Sequence, residues 1–462
     1  MLNNVNRARL VLGAALLSIA GLSACDRVKT ELLQPQNPGL IDPSAVTSPT
    51  AALALRVGAL GRYKQVMNGE AAWEEGGTLA DEYKNADFQV PRADVDARHA
   101  DDGTDWNYSG LTQARGFVRD AIGSMYKYAP DSGSMIGELW AELGFLEMTL
   151  ADTYCNGIPL GHTTNGVFVN GAPLTILQVY DSTIAHTDSA LAHITGSDAF
   201  SVFVRRAALI YKARALVMEG KFAAAAALVP VSAVPTTYQY DMTFSATSGT
   251  NGLWSLANSI ARITVSDSFD VVNGVNNVIA NALPFASAND PRVPILAGNK
   301  SSPVVTAEDQ STPVFLSQLW KGQFDPLVIA SGIDARLIEA EAQLNAGDYT
   351  GMTATLNTMR TSATRPSIAA YVVPAMSALP VPASKAAAEA LFFRESAFWT
   401  FGRGQRLPAL RRMIRLYGYT QDKVFPNGVF FKGGSYGVDV NLQVPSIERR
   451  NPLFSGCLDR KA

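Results

Sequence analysis

Two stretches of this 462-residue chain echo each other. One is YKARALVMEGKFAAAAALV, Tyr211 to Val229, and the other is EAEAQLNAGDYTGMTATLN, Glu339 to Asn357. Aligned on Gly220 and Gly347, both read Ala-x-Ala, a gap of four, Gly, Lys or Asp, an aromatic residue, and a second helical run. The small residues let two helices approach closely. The glycine ends the first helix in a left-handed turn, and the aromatic ring packs under the pair. A chain that carries this pattern twice is built partly from helix hairpins, so its expected fold class is mainly α.

These hairpins resemble the tetratricopeptide repeat. They lie 127 residues apart, against roughly 34 in a continuous array, so large insertions separate them. MTLADTYCNG from Met148 and SAFWTFGRGQRLPAL from Ser396 read as parts of further pairs. SPTAALALRVGALGRYKQVM reads as a helix, with Ser48 or Thr50 as cap and Pro49 early. Leu111 to Tyr128 and Met135 to Tyr154 keep a 3.6-residue period. Residues 73–109, 231–321 and 366–384 are poor in that period and rich in polar, Gly and Pro residues. They read as loops with short helices or strands draped on a helical scaffold, where binding sites usually sit.

The N-terminus carries Arg7 and Arg9 and no acid before Asp26. Leu10 to Leu22 is apolar but too short to span a bilayer, which takes roughly 20 residues. It fits the h-region of a secretory signal. The run ends Leu22-Ser23-Ala24-Cys25, which resembles the lipobox of bacterial lipoproteins. In that class the cysteine is acylated and becomes the first residue of the mature chain, so Cys25 is the expected lipidation site. Two acyl chains anchor stably where one binds only marginally. A plain signal peptide followed by a chance cysteine is the alternative. The expected layout is a signal over 1–24, a lipidated tether over 25–49 and a single domain over 50–462. Cys155 and Cys457 remain. An even pair in an exported chain points to a disulfide, with two buried free thiols as the alternative. Formal charge is −3 with no basic stripe, which argues against a nucleic-acid partner.

Motifs of catalysis are missing. There are four histidines, His99, His162, His186 and His193, and no HExxH, CxxC, EF-hand or P-loop pattern. GRGQRL, from Gly402, is an incomplete GxGxxG. GGSYG, Gly433 to Gly437, matches G-x-S-x-G, but a nucleophile elbow needs a following helix and a histidine downstream. An extended VDVNLQVP follows instead. Neither a metal site nor a cofactor is expected. The acid pairs Glu74/Glu75, Asp81/Glu82 and Asp101/Asp102 read as solvated loop acids rather than a glycosidase pair. His186 and His193 read as surface residues, and Trp140 and Trp399 as core.

Several segments together resemble the SusD/RagB-like nutrient-binding outer-membrane lipoproteins. They are the lipobox, GGTLADEY from Gly76, LWAELGFLEMTLADTYCNGIPL from Leu139, DARLIEAEAQLNAGDYTGMTATLNTMRTSA from Asp334, FRESAFWTFGRGQRLPALRRM from Phe393, VFPNG from Val424 and YGVDVNLQVPSIERRNP from Tyr436. The chain departs where Ala409 replaces a usual Asp and Phe401 a common Glu, which puts local salt bridges in doubt. The resemblance implies tetratricopeptide-like helix pairs with a loop-rich half. It also implies a lipid-anchored surface protein that binds oligosaccharides or peptides without turnover. The implied partner is a TonB-dependent barrel transporter. Sugar recognition needs flat aromatic faces and planar polar groups, so the expected ligand residues are Trp73, Asn85, Trp106, Tyr108 and Trp320. Arg394, Glu395, Arg411 and Arg412 are expected to staple helices. A structural tetratricopeptide-type envelope scaffold is the alternative function, and a glycosidase on a helical scaffold a third.

Overall fold

The structure, a computed structural model, describes residues 45–70, 72–101, 107–164, 167–272, 275–298, 307–363 and 366–462. Cys25 and Trp106 lie outside the described residues. Residues 47–462 form one compact unit.

The helical walk runs α1 (Pro49–Val66), α2 (Ala72–Ala80), α3 (Val90–Asp96), α4 (Tyr108–Tyr128), α5 (Gly133–Thr153), α6 (Ile176–His193), α7 (Ala199–Met218) and α8 (Phe222–Leu228). A one-turn α9 (Gly252–Trp254) follows. Then come α10 (Gly332–Asn345), α11 (Tyr349–Arg360), α12 (Lys385–Trp399) and α13 (Arg406–Tyr417). Several helices start where the sequence offers caps. Ser48 Oγ accepts from the Ala51 N–H at 3.2 Å with Pro49 in the first turn. Thr175 and Gln178 close a capping box on α6. The two echoing hairpins are α7/α8 and α10/α11. Gly220 and Gly347 stand at φ +76° and +78°, the left-handed turn that glycine adopts without penalty.

Small residues decide the tightest helix contact. On α5, Gly137 faces α6 so closely that a Cβ there would lie 2.8 Å from the Ala190 carbonyl oxygen and overlap Ile194. Arg411 on α13 then closes the end of α5. Its guanidinium donates to the carbonyls of Ala151 and Asp152 at 2.8 Å each and of Tyr154 at 3.1 Å. These are carbonyls that a helix end leaves without intrahelical partners. Arg412 makes a bidentate pair with Glu341 at 2.6 and 2.9 Å, and Glu395 accepts from Arg292 and Arg360. Arg411, Arg412 and Glu395 therefore staple elements together, and Arg394 lies over the Phe398 ring. Phe401 packs between Tyr83 and Phe285, with ring centroids 5.2 and 5.1 Å away. An apolar contact stands there in place of the usual acid.

The second half is a set of two-stranded antiparallel pairs. The strands are β1 (Tyr83–Asn85), β2 (Ile158–Pro159), β3 (His162–Thr164), β4 (Val167–Val169), β5 (Pro173–Leu174), β6 (Gln239–Met242), β7 (Ile263–Val265), β8 (Phe269–Val272), β9 (Val275–Val278), β10 (Ile295–Ala297), β11 (Phe315–Ser317), β12 (Leu327–Ser331), β13 (Ser367–Ile368) and β14 (Tyr371–Val372). Most pair locally, but β1 pairs β7 across the chain, Tyr83 opposite Val265, and β6 pairs β12. The C-terminal tail docks on the end of α5. Cys155 and Cys457 are disulfide-bonded with Cα atoms 5.8 Å apart, and the Leu458 N–H donates to the Asn156 carbonyl at 2.7 Å.

The acids of α2 and the turn after it correct a sequence expectation. Glu74, Glu75, Asp81 and Glu82 are buried, not solvated. Arg92 Nε donates to Glu74 at 2.9 Å. Arg406 grips Asp81 at 2.6 and 2.9 Å, and the Gly402 N–H donates to Glu82 at 3.1 Å. Arg92 and Arg406, distant in sequence, offset the burial of Glu74 and Asp81, whereas burial pushes the Glu82 carboxyl up to about 8.

Glu142 on α5 is buried with no ion-pair partner among the described residues. Burial, with neighbouring Glu138, pushes its carboxyl up to about 8. Tyr240 donates to its Oε1 at 2.9 Å. The folded chain thus holds a proton that the unfolded chain releases above its ordinary value of 4.5. Stability from this site falls as pH rises from 4.5 to about 8. Glu142→Gln is expected to match the parent near pH 4.5 and to exceed it at pH 8 by on the order of a few kcal/mol. Denaturant unfolding at the two pH values checks this, and a difference that does not change with pH would count against it.

Candidate ligand-binding face

The expected ligand residues within the described chain are all interior. Trp73 and Trp320 sit on the turn Gly402-Arg403-Gly404 between α12 and α13. Both glycines have left-handed backbones, φ +69° and +65°. A Cβ on Gly402 would lie 2.6 Å from Trp320 Cη2, and one on Gly404 would overlap the Trp73 indole. The incomplete GxGxxG is thus a seat for two tryptophans. Arg403 pairs with Asp334 at 2.5 Å, fixing the turn to α10. Tyr108 is fully buried, its ring edge-on to Tyr154 at 5.0 Å. Asn85 closes its own turn. Its Oδ1 accepts from the Asp87 N–H at 2.8 Å, and its Nδ2 donates to the Asp87 carbonyl at 3.1 Å. Trp73, Tyr108 and Trp320 are thus engaged in packing and Asn85 in its own turn. The expected region nonetheless holds an exposed site around them.

Four loop segments meet over the β1–β7 pair. The Ala86 N–H donates to the Arg262 carbonyl at 2.8 Å, and the Asp309 N–H to the Ala86 carbonyl at 3.0 Å. Arg98 donates to the Pro426 and Asp439 carbonyls at 2.8 and 2.9 Å, and its guanidinium lies 4.8 Å from the Phe425 ring. Ala280 and Asn427 bridge the β8–β9 region to the loop over residues 425–440. Lys432 reaches across, donating to the Asp87 carbonyl at 2.5 Å and pairing with Asp309 at 2.8 Å.

Beneath this roof lies a charged layer. Lys84 pairs with Asp270, both buried. Arg92 donates to Asp87 at 2.8 Å. Burial pushes the Asp96 carboxyl up to about 8, although the Asn85 N–H donates to it at 2.6 Å. Burial also opposes ionisation of Asp309, yet Lys432, Thr312 and Ser311 outweigh it and hold that carboxyl well below the usual range.

Aromatic rings emerge from the layer. Phe88 is 69% exposed and Phe269 37%. Phe431 is half-buried, its ring flanked by the ammonium groups of Lys84 and Lys432 at 5.1 and 5.6 Å. Lys432, next to Phe431 in the chain, holds the carbonyl of Asp87, next to Phe88. Rings standing among fixed carboxylates, a lysine and an arginine can stack on a flat apolar ligand face and pair its hydroxyl groups. Sequence reading missed Phe88, Phe431 and Lys432. NADFQVP and FPNGVFFKGG did carry a signal, an aromatic residue set among turn formers. Among the described residues, no group of three or more His, Cys, Asp or Glu is placed to hold a metal ion.

No protein-family model matches this chain, and no curated protein matches it. Solved structures do. A SusD superfamily protein from Bacteroides fragilis is 15% identical, with a TM-score of 0.62, over 88% of this chain and 99% of its own. Another, from Bacteroides vulgatus, is 14% identical with a TM-score of 0.59, over 89% and 99%. A SusD-like carbohydrate binding protein from Bacteroides vulgatus is 12% identical with a TM-score of 0.54, over 79% and 83%. This chain has the SusD-like fold.

Proposed function

We propose that this protein, built on the SusD-like fold, is a lipid-anchored outer-membrane lipoprotein that binds oligosaccharides on its loop-rich face. It passes them, without turnover, to a TonB-dependent barrel transporter. Cys25 carries the lipid, 1–24 is removed as a signal, and 25–49 is the tether. The observation that carries the binding role is the face itself, where exposed Phe88 and half-buried Phe431 stand among ordered charged groups. A fold alone does not fix function, so the site makes the argument. That a protein of this fold is described as carbohydrate binding supports the saccharide class over the peptide class.

The test is a glycan and peptide array on the full chain in detergent, then Phe88→Ala and Phe431→Ala on each hit. Losing a ring worth about 1.4 kcal/mol weakens binding tenfold. We expect at least that loss, with the bound glycan recovered intact. Hydrolysis of the glycan, peptide hits alone, or binding indifferent to both substitutions would overturn the reading.

A further inference from the structure

The helical scaffold, far in sequence from the loop-rich face, carries a row of four aromatic rings. They come from α4, α5 and α6. His186 lies against Trp140 with ring centroids 5.1 Å apart. Trp140 Nε1 donates to the Tyr126 hydroxyl at 2.9 Å. That hydroxyl lies 2.6 Å from His193 Nε2, and the Tyr126 and His193 rings are 5.2 Å apart. The sequence expectation placed Trp140 in the core. It is half-buried instead, as are His186 and His193, and Tyr126 is 41% exposed.

The close α5–α6 approach at Gly137 sets the tryptophan against the histidine helix. Hydrogen bonding then fixes the rings. The Tyr126 oxygen accepts from Trp140 and is also within hydrogen-bond distance of His193 Nε2, so one hydroxyl ties both rings. His186 Nδ1 is 2.9 Å from Glu147, and Arg115 holds Glu147 at 2.6 Å. Burial opposes charge on Glu147, but Arg115 and His186 outweigh it and keep its carboxyl below its ordinary value. A half-exposed row locked in this way loses little side-chain freedom on meeting a ligand.

At its His193 end the row opens into a cleft of about 580 Å³. Ser132, Ser134, Thr195 and Asp131 line it, and at its floor Asp198 caps α7 and binds the buried Ser201 hydroxyl. Hydroxyl and carboxylate groups beside flat rings match the two surfaces of a sugar, its hydroxyl edge and its C–H face. His186 and His193 are two helical turns apart, about 10 Å along α6, so the row is longer than one ring contact needs.

We propose that Trp140, Tyr126, His193 and the adjoining hydroxyl-lined cleft form a second saccharide site on the helical scaffold, separate from the loop-rich face. The ligand class rests on the carbohydrate reading above, and the location does not. A polysaccharide that touched both sites would be held by avidity, with the second contact made at high effective concentration.

The experiment is native mass spectrometry of the full chain in detergent with hexasaccharides of glucose, xylose, mannose and fructose. It is run on the parent and on Tyr126→Ala, Trp140→Phe, Phe88→Ala and Phe431→Ala. Tyr126→Ala removes a half-exposed ring, and Trp140→Phe keeps a ring without the donor, so at least one variant keeps the fold by thermal melt. The expected result is two hexasaccharides per chain for the parent, falling to one in the scaffold variants and to one in the loop-face variants. A single bound hexasaccharide lost only in the loop-face variants would overturn the scaffold site and leave the loop face standing. One lost only in the scaffold variants would do the reverse. No binding of any hexasaccharide would overturn both.

Discussion

Arg406→Ala is expected to lower the unfolding free energy by about 3–5 kcal/mol, the cost of leaving a buried charge without its partner. Arg406 and Asp81 are both buried and joined by two hydrogen bonds, 2.6 and 2.9 Å. Without the guanidinium, Asp81 keeps the Leu283 N–H at 2.8 Å, too little to solvate a carboxylate. The pair also joins α13 of the scaffold to the turn after α2, which carries the loop-rich half. Urea unfolding of the full chain gives the loss. The double change Arg406→Met with Asp81→Leu should recover most of it, because an apolar pair of similar volume is often no worse than a buried ion pair. A single-variant loss below about 1 kcal/mol would mean that water reaches Asp81.

Gly404→Ala is expected to cost about 2–5 kcal/mol, from two separable sources. An L-residue in a left-handed backbone costs roughly 1–2 kcal/mol, and overpacking adds about 1–3 kcal/mol. At Gly404, φ is +65° and the new Cβ would overlap Trp73. Gly418 provides the control. Its φ is +76°, and a Cβ there meets nothing within 4 Å. Gly418→Ala should show the backbone cost alone. The difference between the two variants measures the tryptophan contact, and near-ultraviolet circular dichroism should report the displaced indole in Gly404→Ala only. Equal losses would remove the packing argument.

These two changes fall on residues whose roles sequence spacing could not supply. Local rules did well where local physics decides. The 3.6-residue period read as Leu111–Tyr128 and Met135–Tyr154 became α4 over Tyr108–Tyr128 and α5 over Gly133–Thr153. The glycines of the echoing hairpins took the left-handed turns expected of them. Arg411, Arg412 and Glu395 acted as staples. The candidate site was legible only as a region. Aromatic residues dense between positions 73 and 109 pointed to it, but which rings face out depends on partners far along the chain. Trp73 was lost to Gly404, and Trp320 to Gly402. Phe88 stayed exposed.

By itself the sequence determined that this chain is largely helical, that hairpins ended by glycine form its frame, and that loop-rich insertions break their array. Those properties follow from periodicity, caps and turn residues, which act within a few positions. Only the tertiary structure decided that four acids in Glu74–Glu82 are interior, that two tryptophans are packing rather than display, and that Tyr126, Trp140 and His193 form one row. Burial and pairing depend on residues separated by tens to hundreds of positions, as with Arg406 and Asp81, 325 residues apart. No local rule can reach that far, because desolvation is offset by whichever partner the fold brings near.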